Sequence, residues 1–140
     1  MNHVQDNQSN DSVKTCWSKI KAEKGADAFI DDFYHFMFKH HPEIRHLFPE
    51  ALLDQKTSLI ATLDNVINGI DYIEALEQEL IALGHRHKNI GIEKEMFDIF
   101  ITTIVESANN ASNSTLTEKE LIAWEEAFQK ISNVMLKAYS

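Results

Sequence analysis

Apolar residues recur three and four apart along almost the whole chain, and that spacing constrains the fold more than any other feature. Phe29, Phe33, Phe36 and Met37 share one helical face, and so do Leu59, Leu63, Val66 and Ile67. The same holds for Met96, Phe97, Phe100, Ile101, Ile104 and Val105, and for Leu121, Trp124, Phe128, Ile131, Met135 and Leu136. Residues at these intervals meet on one side of a helix and bury together. Four glycines and two prolines in 140 residues are too few turn formers for an all-β chain. One all-α domain is expected, long enough to bury its own core.

The punctuation that does occur places the helices. Residues 1–11 are polar and are expected to form a flexible tail, with Asp11 or Ser12 capping a helix that buries Val13, Trp17 and Ile20. The rest of the chain, 12–140, is expected to be the folded domain. Pro42 ends a helix over Ala26 to His40, because the residue before a proline avoids helical angles. A short turn then leads to Leu47-Phe48-Pro49. The next helix runs from about Leu52 to Asn68 and stops at Gly69. Asp71 to His87 supplies one or two helices with Ile73, Leu76, Leu80 and Leu83 inward, and Gly91 is placed to end that element in a left-handed conformation. A helix over Glu93 to about Asn109 and an Asn/Ser-rich loop to Thr115 follow. Thr117 and Glu120 are spaced as a capping box that opens the last helix.

Charge and cysteine usage exclude several functions. The formal net charge of −9 repels phosphate backbones and anionic lipid, so neither nucleic acid nor a membrane surface is an expected partner. No apolar run approaches the roughly 18 residues of a membrane span. Cys16 is the only cysteine, so there is no intrachain disulfide and no cysteine-based metal cluster. The N-terminus has no apolar signal-peptide core, and a cytoplasmic location is expected.

Chemistry concentrates in Leu83-Gly84-His85-Arg86-His87-Lys88-Asn89-Ile90-Gly91-Ile92. Two histidines two apart face different sides of a helix and cannot chelate one ion as an i, i+4 pair does. Leu76, Leu80 and Leu83 define the inward face, and His87, four beyond Leu83, continues it. His85 does not. A lone inward histidine is more often a satisfied helix-end residue than a metal ligand, and helical phase leaves both readings open. The other histidines, His3, His35, His40, His41 and His46, read as polar surface.

His87-Lys88-Asn89-Ile90-Gly91-Ile92 in an all-helical chain resembles the proximal segment of a globin. The stretch Phe33-Tyr34…Phe36…His41-Pro42-Glu43…Phe48 is similar to single-domain bacterial haemoglobins and to the globin portion of flavohaemoglobins, and Ala123-Trp124 with Phe128 resembles their last helix. The resemblance implies a three-on-three sandwich of roughly six to eight helices around haem b. It implies His87 as the proximal iron ligand, with Phe48 packing on the porphyrin face. Tyr34 and Gln55 become distal hydrogen-bond donors, and Leu59 the apolar residue above the iron. Leu83, Ile92, Met96, Phe97 and Phe100 would complete the crevice.

The same resemblance implies partners. Dioxygen in such a pocket gains partial negative charge, and donors from Tyr34 and Gln55 would each contribute roughly 1–3 kcal/mol. High-affinity dioxygen binding is therefore expected, with carbon monoxide and nitric oxide as further ligands. The alternatives are nitric oxide dioxygenation, which would need an external reductase, and a gas or redox sensor. Enzyme activity is left open.

Two positions depart from the family pattern. A proximal tyrosine and glutamate that polarise the histidine are replaced by Phe97 and, near the glutamate's place, Tyr139. A backbone carbonyl near Leu83 is expected to take the imidazole N–H instead, which weakens the electron push on iron.

Overall fold

A computed structural model describes residues 3–111 and 115–139. Among them are six α-helices: α1 (His3–Glu23), α2 (Ala26–His40), α3 (Leu53–Asn68), α4 (Glu77–Asn89), α5 (Met96–Ala111) and α6 (Glu118–Met135). Short 3-10 segments cover Pro42–Leu47, Ile70–Leu76 and Leu136–Tyr139. Helices α2, α5 and α6 pack side by side as one layer. Helices α1 and α4 cross on α6, and α3 packs on α2, which gives the second layer. The expected all-α, globin-type sandwich is thus the fold. No described helix is long and apolar enough to cross a membrane.

The sequence signals that end helices act as expected at several places. Helix α2 stops at His40, and His41 leaves helical geometry before Pro42. Thr117 and Glu120 form a complete capping box: the Glu120 N–H donates to Thr117 Oγ1 at 3.1 Å and the Thr117 N–H to Glu120 Oε1 at 2.9 Å. After α4, Gly91 takes φ 96°, a conformation that costs other residues their Cβ clearance. The Ile92 N–H then returns to the His87 carbonyl at 3.0 Å.

Other boundaries differ from the sequence expectation. Helix α1 begins at His3, not at Asp11 or Ser12. The segment taken as a tail is helical from His3 onward, while Met1 and Asn2 lie outside the described residues. A long-range contact explains part of this: buried Asn10 donates to Asp71 Oδ1 at 3.0 Å, and Lys14 pairs with the same carboxylate. These groups tie the first helix to the segment before α4. Asn109, Asn110 and Ala111 belong to α5 instead of to a loop; residues 112–114 of that loop are outside the description. Helix α5 starts at Met96, not Glu93, behind a turn in which the Met96 N–H bonds the Glu93 carbonyl at 2.9 Å.

The core is built on aromatic rings. Trp17 of α1, Phe29 of α2 and Trp124 of α6 meet with centroids 5.8, 5.9 and 6.1 Å apart. Trp124 continues to Phe128 at 4.9 Å, then to Phe100 at 5.8 Å and Phe33 at 5.3 Å. Edge-to-face pairs add about 0.5–1.5 kcal/mol each beyond their burial. Both indoles are satisfied. Trp124 Nε1 donates to the Ile104 carbonyl at 3.1 Å, and Trp17 Nε1 to Asp64 Oδ1 at 2.7 Å.

The Trp17 indole holds the Asp64 carboxyl below its usual pKa; partial burial opposes the shift, and Lys21 at 3.1 Å adds to it. A depressed folded-state pKa contributes stability above the unfolded value and loses it as pH falls through the folded one. Asp64→Asn should therefore lower the urea midpoint at neutral pH. The gap from wild type should close as pH drops through and below the ordinary aspartate value of 3.8. Urea titrations across that range would measure it, and a gap independent of pH would contradict the assignment.

Candidate functional site

Where the aromatic chain ends, the two layers part around a cavity of about 250 Å³. All ten residues singled out from the sequence line it: Tyr34, Phe48, Gln55, Leu59, Leu83, His87, Ile92, Met96, Phe97 and Phe100. They come from α2, the segment after it, α3, α4, the turn after α4, and α5.

His87 sits in the last turn of α4, half-buried. Its Nδ1 lies 2.8 Å from the Leu83 carbonyl oxygen. A carbonyl only accepts, so Nδ1 carries the proton and Nε2 keeps its lone pair. Burial pushes the imidazole pKa below its ordinary value; the Leu83 carbonyl opposes this and nearby Arg86 adds to it. The ring is therefore neutral at neutral pH and able to ligate a metal. His85 is exposed, in line with helical phase. Among the described residues no group of three or more His, Cys, Asp or Glu could hold a bare ion. One nitrogen donor above apolar walls instead fits a metal that arrives with its other ligands in a flat organic group.

Behind His87 the polar groups point elsewhere. The Phe97 ring lies 6.4 Å from the imidazole, and Tyr139 meets Phe97 edge-on at 5.4 Å. The Tyr139 hydroxyl donates to the Ile92 carbonyl at 2.7 Å, so it braces the turn after α4. The imidazole's bond runs to the backbone at Leu83, the acceptor expected from the sequence.

Across the cavity, Tyr34 is 7% exposed, and its hydroxyl has no hydrogen-bond partner among the described residues. Burial pushes its pKa up to about 12, so it stays a neutral donor. The ring is stacked on Phe38 at 5.8 Å and meets Phe48 edge-on at 6.0 Å. Gln55 stands at the cavity mouth in the first turn of α3 and is exposed, whereas Leu59 one turn on is half-buried. Lys56 turns aside to Asp31 at 3.2 Å.

Several lining residues were not assigned to the site from sequence. Ile131 and Met135 have a clear helical period, but only the packing of α4 on α6 turns them toward the cavity. Ser58 and Thr62 add hydroxyls along α3, with Thr62 Oγ1 donating to the Ser58 carbonyl at 2.9 Å. Ile44 and Leu47 lie in a short 3-10 segment where no long period marks them.

A buried helical sandwich that splits around one histidine and a facing aromatic wall defines a globin. The Globin family pattern matches residues 31–135, three quarters of the chain, and the chain belongs to that family. Its relatives include the flavohaemoprotein of Halalkalibacterium halodurans, 26% identical over 121 residues. That match covers 84% of this chain and 29% of the relative. The Bacillus subtilis flavohaemoprotein is 27% identical over 107 residues, covering 74% of this chain and 27% of the relative. The chain thus spans less than a third of the length of these relatives. Among solved structures, a bacterial globin from Campylobacter jejuni superposes with a TM-score of 0.80 at 21% identity, covering 95% of this chain and 98% of that one. A Rhodothermus marinus protein engineered as a carbene transferase, itself a candidate nitric oxide dioxygenase, gives 0.81 at 21% identity, covering 94% and 92%.

One residue next to the histidine controls how closely α4 docks. A Cβ on buried Gly84 would run into the Met135 carbonyl oxygen and come within 3.0 Å of the Ala138 Cβ. Backbone cannot yield as a flexible side chain does. Gly84→Ala should destabilise the protein by about 1–3 kcal/mol, measured by urea unfolding. An unchanged midpoint would mean α4 has room to move.

Proposed function

We propose that the chain is a haem-binding globin that takes dioxygen reversibly and holds it tightly. One observation carries the reading: a neutral His87 whose Nδ1 is anchored on Leu83 shares a mostly apolar cavity with Tyr34, whose hydroxyl bonds no other described residue. Bound ferrous haem b supplies a coordination position open to a diatomic gas. His87 Nε2 would ligate the iron on one side. Phe48, Leu59, Leu83, Ile92, Met96, Phe97 and Phe100 would pack against the porphyrin and exclude water. Tyr34 would donate its hydroxyl proton in a hydrogen bond to a polar gas, and Gln55 could add its amide from the cavity mouth.

The mostly apolar walls around Tyr34 strengthen such a hydrogen bond, because a low local dielectric screens it less than bulk water does. Carbon monoxide is less polar and gains less. The backbone acceptor on His87 leaves the imidazole a weaker electron donor than a carboxylate partner would, which favours holding a gas over activating it. Its acidic surface and buried Cys16 suit a reducing cytoplasm.

A second reading, nitric oxide dioxygenation with electrons from a separate reductase, draws on the flavohaemoprotein relatives. The distal residues serve both. Adding nitric oxide to the gas-loaded protein with a flavoprotein reductase separates them: sustained nitrate formation supports the enzyme, and a single turnover supports the carrier.

The first test is spectroscopic. The purified chain mixed with haemin should develop a Soret band, and its absence would end the haem reading. Tyr34→Phe should then speed oxygen release by roughly tenfold or more, followed by stopped flow. An unchanged rate would remove Tyr34 from the ligand's surroundings.

A further inference from the structure

The corner between α2 and α3 carries Phe48 but has little regular structure to hold it. Phe48 is extended, with φ −114° and ψ 149°, and Pro49 has no N–H. The carbonyls of Phe48, Pro49 and Glu50 receive no backbone hydrogen bond among the described residues. The N-cap position of α3, Leu52, offers no side-chain cap. A corner of this kind ought to open readily.

One side chain closes it. Arg45 Nη1 donates to the Phe48 carbonyl at 3.1 Å and to the Pro49 carbonyl at 2.9 Å, and Nη2 donates to the Glu50 carbonyl at 2.9 Å. The guanidinium also lies over the Phe38 ring, 4.9 Å from its centroid. Phe38 packs edge-on against Phe48 at 5.1 Å and is stacked on Tyr34 at 5.8 Å. One planar cation therefore gathers three successive carbonyls and presses on the ring that touches both cavity residues.

We propose that Arg45 is a positioning residue for the cavity wall: its fork of donors and its flat face together set where Phe48 and Tyr34 stand. Lysine could not replace it. An ammonium is a compact point charge that cannot span three carbonyls while lying flat on an aromatic ring. The sequence shows Arg45 as one more charge on a short turn, and nothing in its spacing reveals these contacts.

The test compares Arg45→Lys and Arg45→Met with the wild-type chain by two readouts. The first is amide exchange of the free protein at Phe48 and Lys56, whose N–H groups bond the Arg45 and Leu52 carbonyls at 3.1 and 2.8 Å on either side of the corner. The second, which rests on the haem reading above, is the rate of haem loss to a scavenger. Both variants should speed exchange at these two amides and haem loss by roughly tenfold, with amides of α1 and α6 unchanged. Wild-type behaviour of Arg45→Lys would show that charge alone suffices and would overturn the proposal. An equal rise in exchange over α1 and α6 would overturn it too, by making Arg45 a general stabiliser. If the wild-type chain takes up no haem, the haem reading fails, and exchange at Phe48 and Lys56 alone decides the role of Arg45.

Discussion

The fold depends on a run of aromatic rings that begins in the closed core and ends at the cavity. Trp17, Trp124, Phe128, Phe100, Phe33 and Tyr34 follow one another with centroids 4.9–5.9 Å apart, and they belong to α1, α6, α5 and α2. At the Trp17 end every neighbour is another helix, and both indole N–H groups are bonded. At the Tyr34 end the residue lines the cavity and its hydroxyl bonds no other described residue. The rings that hold the layers together are thus the rings that place a donor at the edge of an apolar space.

The two sides of that space are held by different means. On the histidine side the close approach of Gly84 to Met135 and Ala138 docks α4 on the C-terminal helix. Tyr139 braces the following turn through the Ile92 carbonyl. Both contacts bring a group against backbone, at Met135 and at Ile92. On the tyrosine side the wall is made of ring contacts and of a corner tied by Arg45. One side thus rests on close approach of backbone, and the other on rings and a single guanidinium.

The surroundings of His87 on the side away from the cavity are two aromatic rings and a backbone carbonyl. Phe97 has no polar atom to offer, and Tyr139 spends its hydroxyl on Ile92. A backbone carbonyl is a weaker acceptor partner than a carboxylate, so the pull of Leu83 on the imidazole proton is modest.

Local pattern was enough for much of this. Helical period identified the helices, chose His87 over His85, and put Leu59, Leu63 and Val66 on one face of α3. The capping box at Thr117 and the left-handed Gly91 were legible because each depends on residues within one turn. The start of α1, the turning of Ile131 and Met135 toward the cavity, the fit of Gly84, and the tasks of Tyr139 and Arg45 were not. Period tells which side of a helix is buried, but not which helix covers it or how close it comes. Those answers depend on contacts such as Asn10 with Asp71 and Tyr139 with Ile92, between residues far apart in the chain. The sequence by itself determined an all-helical globin chain with one histidine facing inward. Only the tertiary structure decided what stands opposite and behind that histidine, because those neighbours are set by how the helices close on one another.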